Sequence, residues 1–313
     1  MANLGYMQVT RLCNQKCRFC SNPERESTLD FRQGIEQINS LRDQGYTGVM
    51  LTGGEPTLSE HLPAFLKYCD EIGFMHKLIT NGQRICDPEY LEMLISNGLK
   101  HVCVSFHSCR PGVQNYLTQN PESLQNIIRS FENLSAYDDI AVDILTTINK
   151  YNADHLSDNV EFLMEKIPFF FHLTWNNLDP KMNRTVEYPD VIHRLRDIEV
   201  ELKKAMDYLS EKGKPFQVER LPLCYMAEYA HLSTETRKIV KEEKRLLYFL
   251  DERGCLLWNE WEHGKAECCK SCSLETICAG LYEIDKCYSS KELYPLFIDK
   301  QKVIDRILGS GLD

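Results

Sequence analysis

The sequence predicts an α/β fold, a parallel sheet of six strands with crossover helices, followed by a small cysteine-rich C-terminal domain. Three observations lead there. From residue 5 to about 175, short apolar runs alternate with amphipathic runs long enough for crossover helices. The chain of 313 residues exceeds the usual size of one domain, so an appendage is expected. The cysteines gather near the N-terminus and again between Cys255 and Cys287, and the second gathering lies outside the alternating part.

Taken in order, the apolar runs place strands at residues 6–10, 48–51, 76–79, 101–106, 141–147 and 169–175. Helices are expected between them at 31–44, 61–72, 88–96, 121–134 and 156–166. Residues 176–187 read as a loop, and 190–212 as a long amphipathic helix whose many charges form a solvated face. The boundary is therefore set with the sheet and its following helix in 1–213 and the second domain in 214–313. Tyr116, Trp175 and the run Phe169, Phe170 and Phe171 are expected in the core. No internal repeat beyond this alternation is present.

Composition narrows the function. With 43% hydrophobic and 26% charged residues the chain has the make-up of a water-soluble globular protein, and no apolar run is long enough to cross a bilayer. The first ten residues lack the basic and apolar regions of a signal peptide, so a cytoplasmic location is expected. Thiols do not persist there as structural disulfides, which leaves fourteen cysteines to be explained by metal or cluster ligation. A formal charge of −10 argues against general nucleic-acid binding, and no membrane partner is expected.

Cys13, Cys17 and Cys20 lie within one eight-residue segment, directly after the first strand and before the first helix. One loop can thus present three thiolates to one metal centre. A [4Fe–4S] cube held by three cysteines keeps one iron open for another ligand. Zinc or redox-active thiols are the competing readings of the spacing, although a structural zinc site would need a fourth ligand that is absent nearby.

The C-x3-C-x2-C spacing, with Phe19 just before the last cysteine, resembles the signature of the radical S-adenosylmethionine (SAM) superfamily. Gly53-Gly54-Glu55-Pro56, just after the second strand, resembles that family's GGEP motif. The resemblance implies a partial (β/α)6 barrel over about residues 5–175, a [4Fe–4S] cluster on the three cysteines, and SAM chelated to its open iron. It further implies that the backbone and acidic side chain of the GGEP segment help to hold the SAM amino group. Weaker correspondences place Asn81, Ser105, Thr146 and Thr147 near the cofactor, at strand ends where βα enzymes collect functional loops. Each has a plainer reading, since Asn81-Gly82 makes a good turn and Ser or Thr at a strand end can cap the backbone. His107 and Cys109 follow the fourth strand and are candidates for moving a proton and donating a hydrogen atom, with packing as the simpler role.

The second group, Cys269, Cys272 and Cys278, puts three thiols on one compact segment. It resembles the C-x2-C-x5-C portion of SPASM or twitch domains, which implies one auxiliary [4Fe–4S] cluster. Where the longer SPASM pattern continues with cysteine, this chain has Tyr282. Cys224, after Pro222, is the first choice for the fourth ligand and Cys287 the second; a zinc knuckle is the alternative. Cys255 reads as part of a hairpin.

The resemblance implies reductive cleavage of SAM to a 5′-deoxyadenosyl radical that takes hydrogen from a substrate, with electrons from a low-potential donor such as flavodoxin or ferredoxin. The substrate is expected to be a peptide undergoing crosslinking, epimerisation or oxidation, or else a small metabolite. Twelve residues precede Cys13, so no N-terminal peptide-recognition domain is expected. A non-catalytic metal-binding or electron-carrying protein is the alternative from another class.

Overall fold

The computed structural model describes residues 3–22, 26–180 and 184–309. Among the described residues the frame is one sheet of nine strands. β1 (Leu4–Thr10), β2 (Gly48–Gly53), β3 (Met75–Thr80), β4 (His101–Ser105), β5 (Ala141–Ile148) and β6 (His172–Asn177) pair in sequence order, all parallel. Crossover helices α1 (Phe31–Asp43), α2 (Leu62–Glu71), α3 (Pro88–Ser96), α4 (Pro111–Thr118), α5 (Ser123–Leu134) and α6 (Leu156–Lys166) link them. Apolar side chains on alternate strand residues, among them Met7, Val9, Val49, Leu51, Val102, Val104, Val142 and Ile144, are buried in one core cluster with helix residues such as Ile38, Leu66 and Leu163. The other strand face carries Gln8, Lys77, His101, Asp143 and Thr174 and forms a polar lumen.

Local chemistry explains the helix ends. The Asp30 carboxylate caps α1 by accepting from the N–H groups of Arg32 and Gln33, and Asp87 caps α3 through Glu89 N–H, with Pro88 in the first turn. The exposed charges expected over 190–212 belong to α7 (Leu195–Glu211), which buries Leu195, Ile198, Leu202 and Leu209 on its other side.

The sheet does not stop at the sixth strand. β7 (Phe216–Glu219) pairs parallel with β6, and the hairpin of β8 (Arg245–Tyr248) and β9 (Cys255–Trp258) adds to the far edge of β1. The chain beyond residue 213 therefore extends the same sheet at both edges before supplying its cysteine segment. α8 (Thr234–Val240) runs from a bridge between Ser233 and Val218, and its Lys238 stands within electrostatic range of both Glu219 of β7 and Arg245 of β8. The hairpin turn also straps the start of the chain. Asp251 pairs with the buried Arg11, Leu250 N–H donates to Gln8 Oε1 at 3.0 Å, and Ser27 donates to the Leu250 carbonyl.

Two expectations shift. The sixth strand begins at His172, not at Phe169, because only Phe170 turns inward while Phe169 and Phe171 are exposed. Tyr116 is also exposed, with the Arg18 guanidinium 4.0 Å over its ring. Among the described residues no helix is long and apolar enough to cross a membrane.

Candidate functional site

The first cysteine loop leaves β1 at the C-terminal end of the sheet and is held from both sides. Gly54 N–H donates to the Thr10 carbonyl and Glu55 N–H to the Leu12 carbonyl, both at 2.7 Å, while Lys16 and Arg18 N–H donate to the carbonyls of Thr118 and Leu117. The glycines permit the approach. A Cβ on Gly53 would stand 2.0 Å from the Thr10 oxygen and one on Gly54 2.2 Å from the Leu12 oxygen, and Gly53 has φ +143°. Pro56 opens a short 3-10 turn, Pro56–Leu58, directly behind.

Cys13, Cys17 and Cys20 all keep partial exposure on this loop. Burial raises the Cys17 thiol well above its ordinary value, and the neighbouring Cys20 and Cys13 raise it further. Backbone N–H groups point at two of the sulfurs, Gln15 at Cys13 and Asn22 at Cys20, each at 3.4 Å. Three crowded thiols, costly to ionise together yet provided with N–H donors, fit a centre that supplies positive charge. Phe19 anchors the loop in a small apolar cluster with Leu117, Leu178 and Val191, its ring edge-on to His107 with centroids 4.6 Å apart.

Glu55 is turned inward. Its carboxylate accepts from Thr57 N–H at 3.1 Å, Thr57 Oγ1 at 2.7 Å, Thr80 Oγ1 at 2.6 Å and Asn81 N–H at 2.7 Å. Burial pushes this carboxyl up, and the Asn81, Thr80 and Thr57 donors pull it back. The side chain thus acts on the pocket through Asn81, whose Nδ2 donates to Asn14 Oδ1 at 2.7 Å and lies 3.9 Å from Cys13 Sγ.

Alternation separates the two threonines of β5. Thr146 is buried and donates to the Phe106 carbonyl at 2.7 Å, so it braces the backbone and does not line the pocket. Thr147 faces the lumen, where Ser105 also sits at the end of β4. The expected chemistry of His107 and Cys109 is corrected. His107 Nδ1 accepts from Thr147 N–H at 3.1 Å, and burial lowers its pKa to about 3, so it is a neutral packing and bracing group. Cys109 lies against α6, its N–H donating to Asn159 Oδ1 at 2.7 Å and its thiol near Asp158, which places it in the outer helical layer. Next to it, Ser108, His155 and Asp154 are connected as in a hydrolase triad. Ser108 and His155 are wholly buried, however, and the serine oxygen already accepts from Arg110 N–H, so a substrate has no approach.

The second group assembles on short turns. Cys224 sits in the turn Leu223–Tyr225, Cys269 lies in Glu267–Ser271, and Cys272 and Cys278 follow. All four line one small cavity with Pro222, Lys265 and Tyr294. Burial pushes the Cys224 thiol up to about 12, with Cys278 and Cys269 adding repulsion, while Leu296 N–H and Gly280 N–H donate to Cys272 and Cys278. Cys287 is exposed and outside this cavity, and Cys268 donates to the Leu293 carbonyl. Among the described residues no three His, Cys, Asp or Glu side chains form a ready-made cage for a single metal ion. Both groups are looser gatherings of thiols. Cys255 opens β9 on the exposed hairpin.

With this geometry in place, the family model described as the Radical SAM superfamily matches residues 7–163, which spans the cysteine loop, the Gly-Gly-Glu-Pro turn and strands β1 to β5. The chain belongs to the radical SAM superfamily. Membership makes it an enzyme and implies a [4Fe–4S] cluster and SAM. The Fe-coproporphyrin III synthase of Methanosarcina barkeri (strain Fusaro / DSM 804) is 30% identical over 217 residues, which cover 67% of this chain and 53% of that protein. This radical SAM chain thus spans about half the length of that relative. Among solved structures, native anSMEcpe with bound AdoMet and Kp18Cys peptide shares the fold with a TM-score of 0.64 at 16% identity, covering 97% of this chain and 98% of that one. Streptococcus suis SuiB bound to precursor peptide SuiA superposes with a TM-score of 0.55 at 17% identity, over 70% of this chain and 49% of the other.

The residue that sequence reasoning missed is Arg220, one position beyond β7, whose guanidinium reaches Asn176 at the end of β6. The signal was slight, an arginine after a short strand-like run and before a proline.

Proposed function

We propose that the chain is a peptide-modifying radical SAM enzyme with an auxiliary cluster. In this reading Cys13, Cys17 and Cys20 hold a [4Fe–4S] cluster, and Cys224, Cys269, Cys272 and Cys278 hold a second. When bound, the first cluster supplies the electron that splits SAM into methionine and a 5′-deoxyadenosyl radical, which takes hydrogen from substrate. Gly53 and Gly54 let the turn pack backbone to backbone against the cysteine loop. Glu55 fixes Asn81 against Asn14 and Cys13, while Ser105 and Thr147 line the lumen where the nucleoside part would lie. The observation that carries the reading is the packing of the three-cysteine loop on the Gly-Gly turn at the C-terminal end of a parallel sheet, where βα enzymes place their sites.

Peptide modification is favoured because two proteins of the same fold were solved with peptides bound. A small-metabolite substrate is the second reading, favoured by the coproporphyrin-forming relative. Anaerobic reconstitution, iron and sulfide counting and dithionite-dependent 5′-deoxyadenosine formation test the cofactor assignment. About eight irons with SAM cleavage are expected; about four would remove the auxiliary cluster, and zinc without SAM cleavage would overturn both sites. A peptide substrate should raise 5′-deoxyadenosine formation above the substrate-free rate and yield a mass-shifted product.

A further inference from the structure

Arg220 occupies an unusual position at the mouth of the lumen. Strand register aligns Thr147 of β5 with Asn176 of β6 and Asn176 with Glu219 of β7, so the next residue stands just above the layer that holds Thr147. Its backbone is left-handed, with φ +60°, a conformation that is unfavourable for a non-glycine residue. Two buried side chains hold it there. The Glu235 carboxylate accepts from Arg220 N–H at 2.9 Å, and Asn177 Nδ2 donates to the Arg220 carbonyl at 3.1 Å. A strained residue fixed from both sides at a strand end is the kind that functional sites retain.

The side chain is fixed but underused. One guanidinium nitrogen donates to Asn176 Oδ1 at 3.0 Å, and the group lies 5.7 Å over the ring of Tyr282, which itself packs against His263. The Tyr282 phenol is a further hydrogen-bond partner of the guanidinium, and among the described residues no carboxylate oxygen stands within 4.0 Å of it. Glu219, Asp179 and Glu235 are near enough to act electrostatically, yet none closes the bidentate pair that a guanidinium fork ordinarily makes. The residue is half-buried, at the edge of the sheet beyond β7.

We propose that Arg220 is the substrate's anion anchor: its guanidinium fork, which no carboxylate of the described residues closes, takes a carboxylate or phosphate group of the substrate, while Asn176 and Tyr282 set its plane. The assignment rests on reading the lumen mouth as the substrate site of a radical SAM enzyme. Both oxyanions fit the fork, and they correspond to an acidic peptide and a phosphorylated metabolite respectively.

The test is calorimetric titration of the reconstituted, SAM-saturated holoenzyme with inorganic phosphate and, separately, acetate at low ionic strength. The expected result is one site per chain for at least one anion, weakened about tenfold or more in Arg220→Gln, which corresponds to a loss of about 1.4 kcal/mol. Arg220→Lys, which keeps the charge and loses the fork, should fall between them, and it carries the test if Arg220→Gln does not fold. Tighter phosphate marks a phosphorylated substrate, and tighter acetate an acidic peptide. Wild-type affinity in both variants, or no binding of either anion to the SAM-saturated enzyme, would overturn the proposal. Failure of the radical SAM reading would be seen separately, as absence of 5′-deoxyadenosine from the wild-type protein.

Discussion

The two cysteine groups are built in opposite ways. The first comes from eight consecutive residues pinned by backbone hydrogen bonds to the turn after β2 and the end of α4. The second joins Cys224 to a segment that follows more than forty residues later, on 3-10 turns of three and five residues. Its bonds come from the loops that follow it in the chain and not from the sheet, such as Leu296 N–H to Cys272 and Tyr294 OH to the Cys224 carbonyl. The sheet therefore prepares the first group before any metal arrives. The second has little regular structure to hold it, so a bound centre would contribute to its folding.

The largest expected effect separates the two. Replacing Cys13, Cys17 and Cys20 together by Ala should reduce 5′-deoxyadenosine formation to background with little change in the melting temperature of the metal-free protein. Replacing Cys269, Cys272 and Cys278 should spare substrate-free SAM cleavage, stop product formation and lower the holoenzyme melting temperature by ~10 °C or more. Equal melting losses in both variants would erase the contrast.

A smaller effect sharpens the idea of a prepared first site. Glu55→Gln replaces one acceptor oxygen with a donor inside a pocket that already supplies four hydrogen bonds to this side chain. A destabilisation of about 2–4 kcal/mol is expected in denaturant unfolding, with weaker SAM binding through the displaced Asn81. A neutral result would mean that the turn is held by its backbone alone.

The smallest effect concerns acid. His107 lies behind the first site and His193 packs on Tyr288 in the second region; burial lowers their pKa values from 6.5 to about 3 and about 4. Both are neutral in the fold and protonate on unfolding. Below pH 6.5 the unfolded chain therefore binds more protons, and each histidine costs about 1.4 kcal/mol per pH unit, down to pH about 4 for His193 and about 3 for His107. Urea midpoints between pH 7.5 and 5 should fall, and His107→Gln and His193→Gln should each flatten the slope.

Much of this was legible in the sequence because apolar alternation and spacing are local signals. The first five strands begin within two residues of expectation, and α3 and α6 match their expected bounds. The sixth strand was drawn early because three phenylalanines look like a strand, though only the middle one packs. β7, β8 and β9 have four residues each and owe their existence to pairing partners that are distant in the chain. Spacing singles out Cys13, Cys17 and Cys20 and again Cys269, Cys272 and Cys278, and Pro222 points to Cys224, whereas the direction of a side chain leaves no such mark. Thr146 and Thr147 differ only in which face of β5 they occupy, and Glu55 turns inward because Thr80 and Asn81, on the next strand end, offer it donors. Arg220 carried almost no signal, since its meaning lies in Asn176, Glu235 and Tyr282.

The strap formed by the β8–β9 turn bears on the order in which the molecule is made. Arg11 meets Asp251 across 240 positions of sequence, so the first cysteine loop leaves the ribosome long before the hairpin that covers its flank. For most of synthesis β1 has one open edge and Arg11 has no Asp251. The Arg11–Asp251 pair can therefore form only after the C-terminal third has been made, while Cys13, Cys17 and Cys20 keep partial exposure even in the complete fold.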